Sequence, residues 1–390
     1  MEIKIDKIIY PGKSIGSNKD KIIITDSGIP GEIVEITPLQ EKKNYIESKT
    51  VKIIKPSPSR IAPKCSHYKT CSPYQYIDYK TQLTIKESQL KEMFQDMPIR
   101  IIPSPEIWGY RNKIKLNVIW NNKIAHFAYH APESRQEFIQ IYSCNLVSEN
   151  INKFLGSFIK MVNQEKLTSI KEIEVKESYA AKKLMFTTKP FIEIDGFQNN
   201  PCIEEKVAGK TFRIGPESFF QVNLPILEIV LKEMQKSISP DKKETIADLY
   251  CGVGTFGIAL SDFAQKIIGI ESEPANISFL KANLKLNHIE NFHLYEGACE
   301  KLFPTLMNKS IDILILDPPR KGLDNMLCQN ITLSSIKKIL YLSCNPSTLS
   351  RDLKILSSSY AVKTLQFLDF FPHTPHIETL AILEKKCIVN

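Results

Sequence analysis

From about position 244 onward, short apolar runs alternate with helical segments, and that pattern admits few folds. Residues 245–249, 266–270, 311–316 and 337–343 are apolar on both faces, as in a parallel sheet covered by helices on both sides. In an open sheet of this kind ligands sit at the carboxyl ends of the strands. The residues just after each run are therefore the ones to read for chemistry.

After the first run, Gly252 and Gly254 allow a sharp turn and close approach of a ligand to the backbone. The next run ends in Glu271, an acid placed to accept hydrogen bonds from ribose hydroxyls. A glycine turn with a strand-end acid also suits a nicotinamide cofactor, so alone it says only that the ligand is nucleotide-like. The spacing Asp-x-x-x-Gly-x-Gly from Asp248 to Gly254 resembles the first motif of S-adenosylmethionine methyltransferases.

The third run ends in Asp317-Pro318-Pro319-Arg320, where a methyl donor and its target would meet. Asp-Pro-Pro by itself allows methylation of an exocyclic amine, but Arg320 and Lys321 stand where a stacking ring would be expected, giving a phosphate-facing loop. The fourth run ends in Cys344, and Glu378 opens a further strand, 379–383. A thiolate, a carboxylate and a methyl donor form the minimal set for alkylating carbon 5 of a uracil. Addition of sulfur to carbon 6 makes carbon 5 nucleophilic, and a base must later remove its proton. The target base would have to be unpaired or flipped out.

Upstream, residues 1–58 read as short strands punctuated by Pro11-Gly12, Asp26-Ser-Gly28 and Pro30-Gly31, an OB-like barrel. Residues 59–215 read as a mixed α+β domain, with a helix from about 79 to 95, and residues 216–390 as the Rossmann-like domain. In the middle part, Arg111 and Lys113 read as phosphate contacts. The net charge of +8 permits a polyanionic partner without requiring one. Nine cysteines, scattered through apolar segments, point to a reducing compartment rather than a disulfide framework. With an evenly charged start and no run long enough to span a membrane, a cytoplasmic location is expected.

Four stretches in series resemble the RNA uridine-5 methyltransferases. They are Asp248-Leu-Tyr-Cys-Gly-Val-Gly254, Asp317-Pro-Pro-Arg-Lys-Gly322, Ser343-Cys-Asn-Pro-Ser-Thr-Leu-Ser-Arg-Asp352 and Phe371-Pro-His-Thr-Pro-His-Ile-Glu378. The resemblance implies a class I fold, S-adenosylmethionine as cofactor, RNA as partner, Cys344 as nucleophile and Glu378 as base. It also implies cofactor contacts from Gln221, Tyr250, Glu271 and Asp317 beside Gly252 and Gly254. Where that family often has an adenine-contacting Asp or Asn, this chain has Gly297. The N-terminal part resembles the TRAM domain, which leans the expected substrate toward 23S ribosomal RNA over transfer RNA. The ribosomal RNA enzymes commonly hold a 4Fe–4S cluster on four cysteines. Cys65, Cys71 and Cys144 match three of them, and Tyr74 stands in place of the other. Three thiolates do not complete that set, so the expectation leans against a cluster and leaves open a metal on these cysteines with His67.

Overall fold

The computed structural model describes residues 1–390 apart from positions 19, 20, 96, 98, 133, 195, 196, 198, 240, 308 and 388–390. Alternating apolar residues near the N-terminus curl the chain into a closed barrel of β1 (Glu2–Ile9), β2 (Lys13–Asn18), β3 (Lys21–Thr25), β4 (Ile33–Glu41) and β5 (Tyr45–Lys55). Ile3, Ile5, Ile23, Val34 and Ile36 fill its interior. Pairing of β1 with β4 closes the sheet and leaves no open edge. The segment that follows is tied back: Arg60 clasps buried Glu32 with two hydrogen bonds of 2.6 and 2.7 Å and lies over the Tyr76 ring.

Next come α1 (Tyr68–Cys71), α2 (Tyr79–Met93) and β6 (Arg100–Ile102). The strands β7 (Lys113–Asn121), β8 (Ile124–Ala131), β9 (Ser134–Ile141), β10 (Glu172–Glu177) and β11 (Leu184–Lys189) form an antiparallel sheet in the order β11-β10-β7-β8-β9. One helix, α3 (Glu149–Gln164), is capped by the Ser148 side chain and packs Phe158 against Phe127 and Phe186. The hairpin β12 (Ile203–Val207) and β13 (Lys210–Ile214) leads into α4 (Leu224–Lys236).

The remaining chain alternates as its hydrophobic pattern requires: β14 (Thr245–Leu249), α5 (Thr255–Leu260), β15 (Lys266–Glu271), α6 (Pro274–Leu286), β16 (Phe292–Glu296), α7 (Cys299–Leu306), β17 (Ile313–Leu316), α8 (Asn325–Leu333), β18 (Lys338–Ser343), α9 (Pro346–Leu356), β19 (Tyr360–Leu368) and β20 (Glu378–Lys385). The eight-stranded sheet runs β16-β15-β14-β17-β18-β20-β19-β6. Strands β14 to β18 are parallel, β20 is antiparallel to both its neighbours, and β6 joins the edge parallel to β19. Strand order reverses at β14, so a crevice opens at its carboxyl end. Two apolar layers cover the sheet, one centred on α4 and α5 and one on α7, α8 and α9. Among the described residues no helix is long and apolar enough to cross a membrane.

Candidate active site

At the end of β14 the chain turns through left-handed backbone at Tyr250, Gly252 and Gly254 (φ +61°, +57° and +91°). At Gly254 the left-handed backbone favours glycine, and a Cβ there would also crowd Leu280 Cδ1 at 2.4 Å. Gly252 differs, because a Cβ built on it meets nothing within 4 Å. The turn thus leaves an open cradle lined by backbone. Glu271, ending β15, fixes that cradle: its Oε2 accepts from Gly252 N at 2.8 Å, while Oε1 accepts from Ser272 N and Glu273 N. Asp248 accepts from Gly257 N at 2.8 Å, and burial pushes its carboxyl up to about 8. Tyr250 donates from its hydroxyl to Glu300 Oε1 at 3.0 Å.

Across the crevice, Asp317 follows β17, and Gln221 Nε2 donates to its Oδ2 at 3.3 Å. Burial pushes the Asp317 carboxyl up to about 7. The loop bearing Gln221 is held from three sides. Lys176 Nζ donates to the carbonyls of Gly215, Pro216 and Ser218, Asn112 Nδ2 donates to Gln221 O, and Asn223 Nδ2 donates to Ser104 Oγ and Phe370 O. An open glycine cradle with a carboxylate on each side suits a cationic, ribose-bearing ligand. The residues present fit S-adenosylmethionine.

Cys344 and Glu378 come together through strand register. Antiparallel β18 and β20 pair Ser343 with Thr379, so the next step along brings Cys344 opposite Glu378. Asp317 stands on the neighbouring strand end, one residue past the Leu316–Tyr341 pair. Glu378 is 4% exposed and its Oε2 has no hydrogen-bond partner. Burial, then Asp317, push its carboxyl far above the usual range, while Arg320 pulls it down. The half-buried Cys344 thiol is pushed up to about 11 by burial, then by Glu378 and Asp317, again against Arg320. The Asp317-Pro-Pro-Arg320 loop is fixed to the start of α9, since Asn345 Nδ2 and Thr348 Oγ1 donate to Arg320 O. Arg320, read from the sequence as phosphate-facing, is thus also the cation of this acid-rich group.

A cavity of about 420 Å³ runs from these strand ends toward the antiparallel sheet, lined by Arg111, Lys113, Lys115, Arg320, Phe371 and His376 among others. Lys113 and Lys115 are ion-paired there with Glu174 and Glu172. A larger cavity, about 1150 Å³, lies between that sheet and α6, with Lys113 and Phe279 in its walls.

Cys71 and Cys144 line the 420 Å³ cavity, and Cys144 lies close enough to both Cys65 and Cys71 to add to burial in pushing their thiols up. No group of three or more His, Cys, Asp or Glu among the described residues is arranged to hold a metal. At the position of the missing ligand, Tyr74 is 1% exposed in an apolar cluster with Ile8 and Ile85. Its hydroxyl accepts from Gln89 Nε2, and Gln75 Nε2 donates both to Cys65 Sγ and to Ser72 Oγ. The residues present do not fit a four-iron cluster.

A doubly wound sheet, a glycine cradle and the acidic strand ends define a class I S-adenosylmethionine-dependent methyltransferase. Residues 198–386 match the family described as tRNA (Uracil-5-)-methyltransferase. The chain is 29% identical to an uncharacterized RNA methyltransferase of Lactobacillus johnsonii, over 98% of this chain and 96% of that protein. It is 27% identical to the 23S rRNA (uracil(1939)-C(5))-methyltransferase RlmD of Vibrio campbellii, over 98% and 95%. The fold superposes on the Pyrococcus abyssi tRNA (uracil-54, C5)-methyltransferase, solved with S-adenosyl-L-homocysteine, with a TM-score of 0.81 at 23% identity over 98% of this chain and 100% of that one. The family match falls on the C-terminal part of the chain, and the likeness to both RNA methyltransferases runs over nearly its whole length.

Proposed function

We propose that this protein methylates carbon 5 of a uridine in 23S ribosomal RNA through a covalent adduct, with Cys344 as nucleophile and Glu378 as base. The observation that carries the reading is the β18–β20 register, which makes a strand-end thiol and a buried carboxyl neighbours beside the glycine cradle. Gln221, Tyr250, Glu271, Asp317, Gly252 and Gly254 would hold the cofactor. Bound S-adenosylmethionine supplies an electrophilic methyl on a sulfonium.

Cys344 first loses its proton to solvent, a loss that Arg320 and a bound sulfonium cation both favour. The thiolate forms a bond to carbon 6, and the displaced π pair moves onto the carbon 4 oxygen. Carbon 5, now nucleophilic, would take the methyl while retaining its own proton, the methyl–sulfur bond breaking with its electron pair left on the donor sulfur as a neutral thioether. Glu378, having given its own proton to solvent with Arg320 favouring the charged form, removes the carbon 5 proton; the carbon 5–carbon 6 double bond re-forms as the sulfur–carbon 6 bond breaks, expelling the Cys344 thiolate. Deep burial suits Glu378 to this task, because a carboxylate poorly solvated by water is a stronger base.

Cys344→Ala should abolish 5-methyluridine formation, measured by mass spectrometry of nucleosides from an unmodified transcript. Glu378→Gln should slow turnover by about 10²–10⁴-fold and trap a protein–RNA adduct visible on a denaturing gel. Methylation by the alanine variant would exclude the mechanism. Transfer RNA is the second reading. The Pyrococcus abyssi enzyme matches this chain over its whole length, barrel included, so the barrel does not separate the two RNA classes. Comparing 5-methyluridine in ribosomal and transfer RNA from a strain lacking the gene decides between them.

A further inference from the structure

The N-terminal barrel reaches the reacting groups. The turn between β1 and β2 is Tyr10-Pro11-Gly12, closed by Gly12 N donating to Ile9 O at 2.6 Å. Gly12 has φ +105°, and a Cβ built on it would lie 3.2 Å from Pro375 Cβ and 3.4 Å from Tyr74 Cε1. The turn therefore rests directly on the loop that ends in Glu378, three residues past Pro375. Strand β1 is fastened behind it: Ile8 packs with Tyr74 and Ile85, and Ile8 O accepts from Gln89 Nε2 at 3.0 Å. Tyr10, half-buried in this turn, comes within electrostatic reach of Arg320, Cys344 and Glu378, and burial raises its phenol so that it stays protonated.

A partly exposed tyrosine, in a turn that rests on the loop ending in Glu378, can offer its ring as a stacking surface for a nucleobase. We infer that Tyr10 is a substrate-contacting residue whose ring stacks on a base of the RNA at the mouth of the Cys344–Glu378 site. The barrel thus supplies one wall of the active site. This rests on the reading under Proposed function and adds a substrate-contacting residue to it.

The test compares Tyr10→Leu, which keeps apolar bulk without a ring, and Tyr10→Phe, which keeps the ring without the hydroxyl. Substrate is a 23S ribosomal RNA transcript lacking modifications, and S-adenosylmethionine affinity by calorimetry reports that each variant is folded. Tyr10→Leu should raise KM for RNA about tenfold, in the range of single-base stacking, with kcat and cofactor affinity within about threefold of the native protein; Tyr10→Phe should stay within about twofold in KM. An unchanged KM in the leucine variant overturns the inference, as does an equal loss in the phenylalanine variant, which would assign the effect to the hydroxyl. Cys344→Ala in the same assay reports separately on the underlying reading. If the native protein makes no 5-methyluridine on this RNA, fluorescence anisotropy with the same transcript still decides the role of Tyr10: the leucine variant must bind about tenfold more weakly.

Discussion

In the resting site Cys344, Asp317 and Glu378 all hold their protons more tightly than usual: removal from water is the first cause for each, Asp317 adds to it for both Glu378 and Cys344, and Glu378 adds to it for Cys344. Arg320 is the cation that opposes this for both Cys344 and Glu378. Its removal should therefore raise the pH needed to generate the thiolate. For Arg320→Met we expect the acidic limb of the pH–kcat profile to move up by about one unit, and kcat at pH 7.5 to fall about tenfold, since one unit corresponds to about 1.4 kcal/mol. Arg320 is exposed, so added salt should narrow the gap between native and variant. A variant that loses activity equally at every pH would show that Arg320 grips RNA without tuning the thiol.

The loop from Phe370 to Glu378 is shaped by α2, a helix that buries three polar side chains, Gln82, Lys86 and Gln89. Lys86, 1% exposed, donates to Asp369 Oδ1 at 2.5 Å and to the carbonyls of Phe371 and His376. Gln82 Oε1 accepts from His373 N at 2.9 Å. Lys86→Met would leave Asp369 charged and unpaired in the interior, costing about 3–5 kcal/mol. Replacing both partners, Lys86→Met with Asp369→Leu, should recover most of that stability in urea denaturation while kcat stays low, because the loop loses the donor that aims Glu378. Full recovery of kcat in the double variant would contradict a positioning role.

That helix also shows where the sequence was legible and where it was not. Its span, read as about 79 to 95, is Tyr79–Met93. Its function was hidden, because Gln82, Lys86 and Gln89 are buried along with only two apolar residues, Ile85 and Leu90, so no apolar stripe announces that face. Strands β14, β15, β17 and β18 were readable because burial on both faces leaves an apolar run. The three-residue β6 was not, since Arg100–Ile102 carries no pattern and pairs with Gln366–Leu368, more than 260 positions away. Gly252, Gly254 and Gly257 also have the spacing of a dinucleotide fingerprint, so the glycines alone do not select the cofactor. The acids and the thiol at the neighbouring strand ends carry that distinction. Tyr10 was invisible because one tyrosine in a turn has no signature until the fold lays it against Pro375.

At the scale of the molecule, the buried acids at and beneath the crevice should set how stability varies with pH. Burial holds Asp317 near 7 and Asp248 near 8 in the folded chain, against about 4 for an unfolded carboxyl. Both are raised, so their stabilising contribution is complete below about pH 4 and is lost as pH climbs through the folded values. His373 and His376 work in the opposite sense. Burial lowers both to about 4, so stability from them is lost as pH falls below about 6.5. As pH rises from 6.5 to 8 the histidine contribution fades, because the unfolded imidazoles lose their charge, and the carboxyls dominate, with Lys176, lowered to about 8 by burial, opposing them at the upper end. The urea midpoint should therefore fall as pH rises from 6.5 to 8. Asp248→Asn keeps an acceptor for Gly257 N and removes one titrating group, so its midpoint should decline less steeply over the same interval. A midpoint that rises with pH in the native protein, or an unchanged slope in the asparagine variant, would mean that these acids are already ionised without a ligand. Recruitment of charge by the incoming sulfonium would then have no part in opening the reaction.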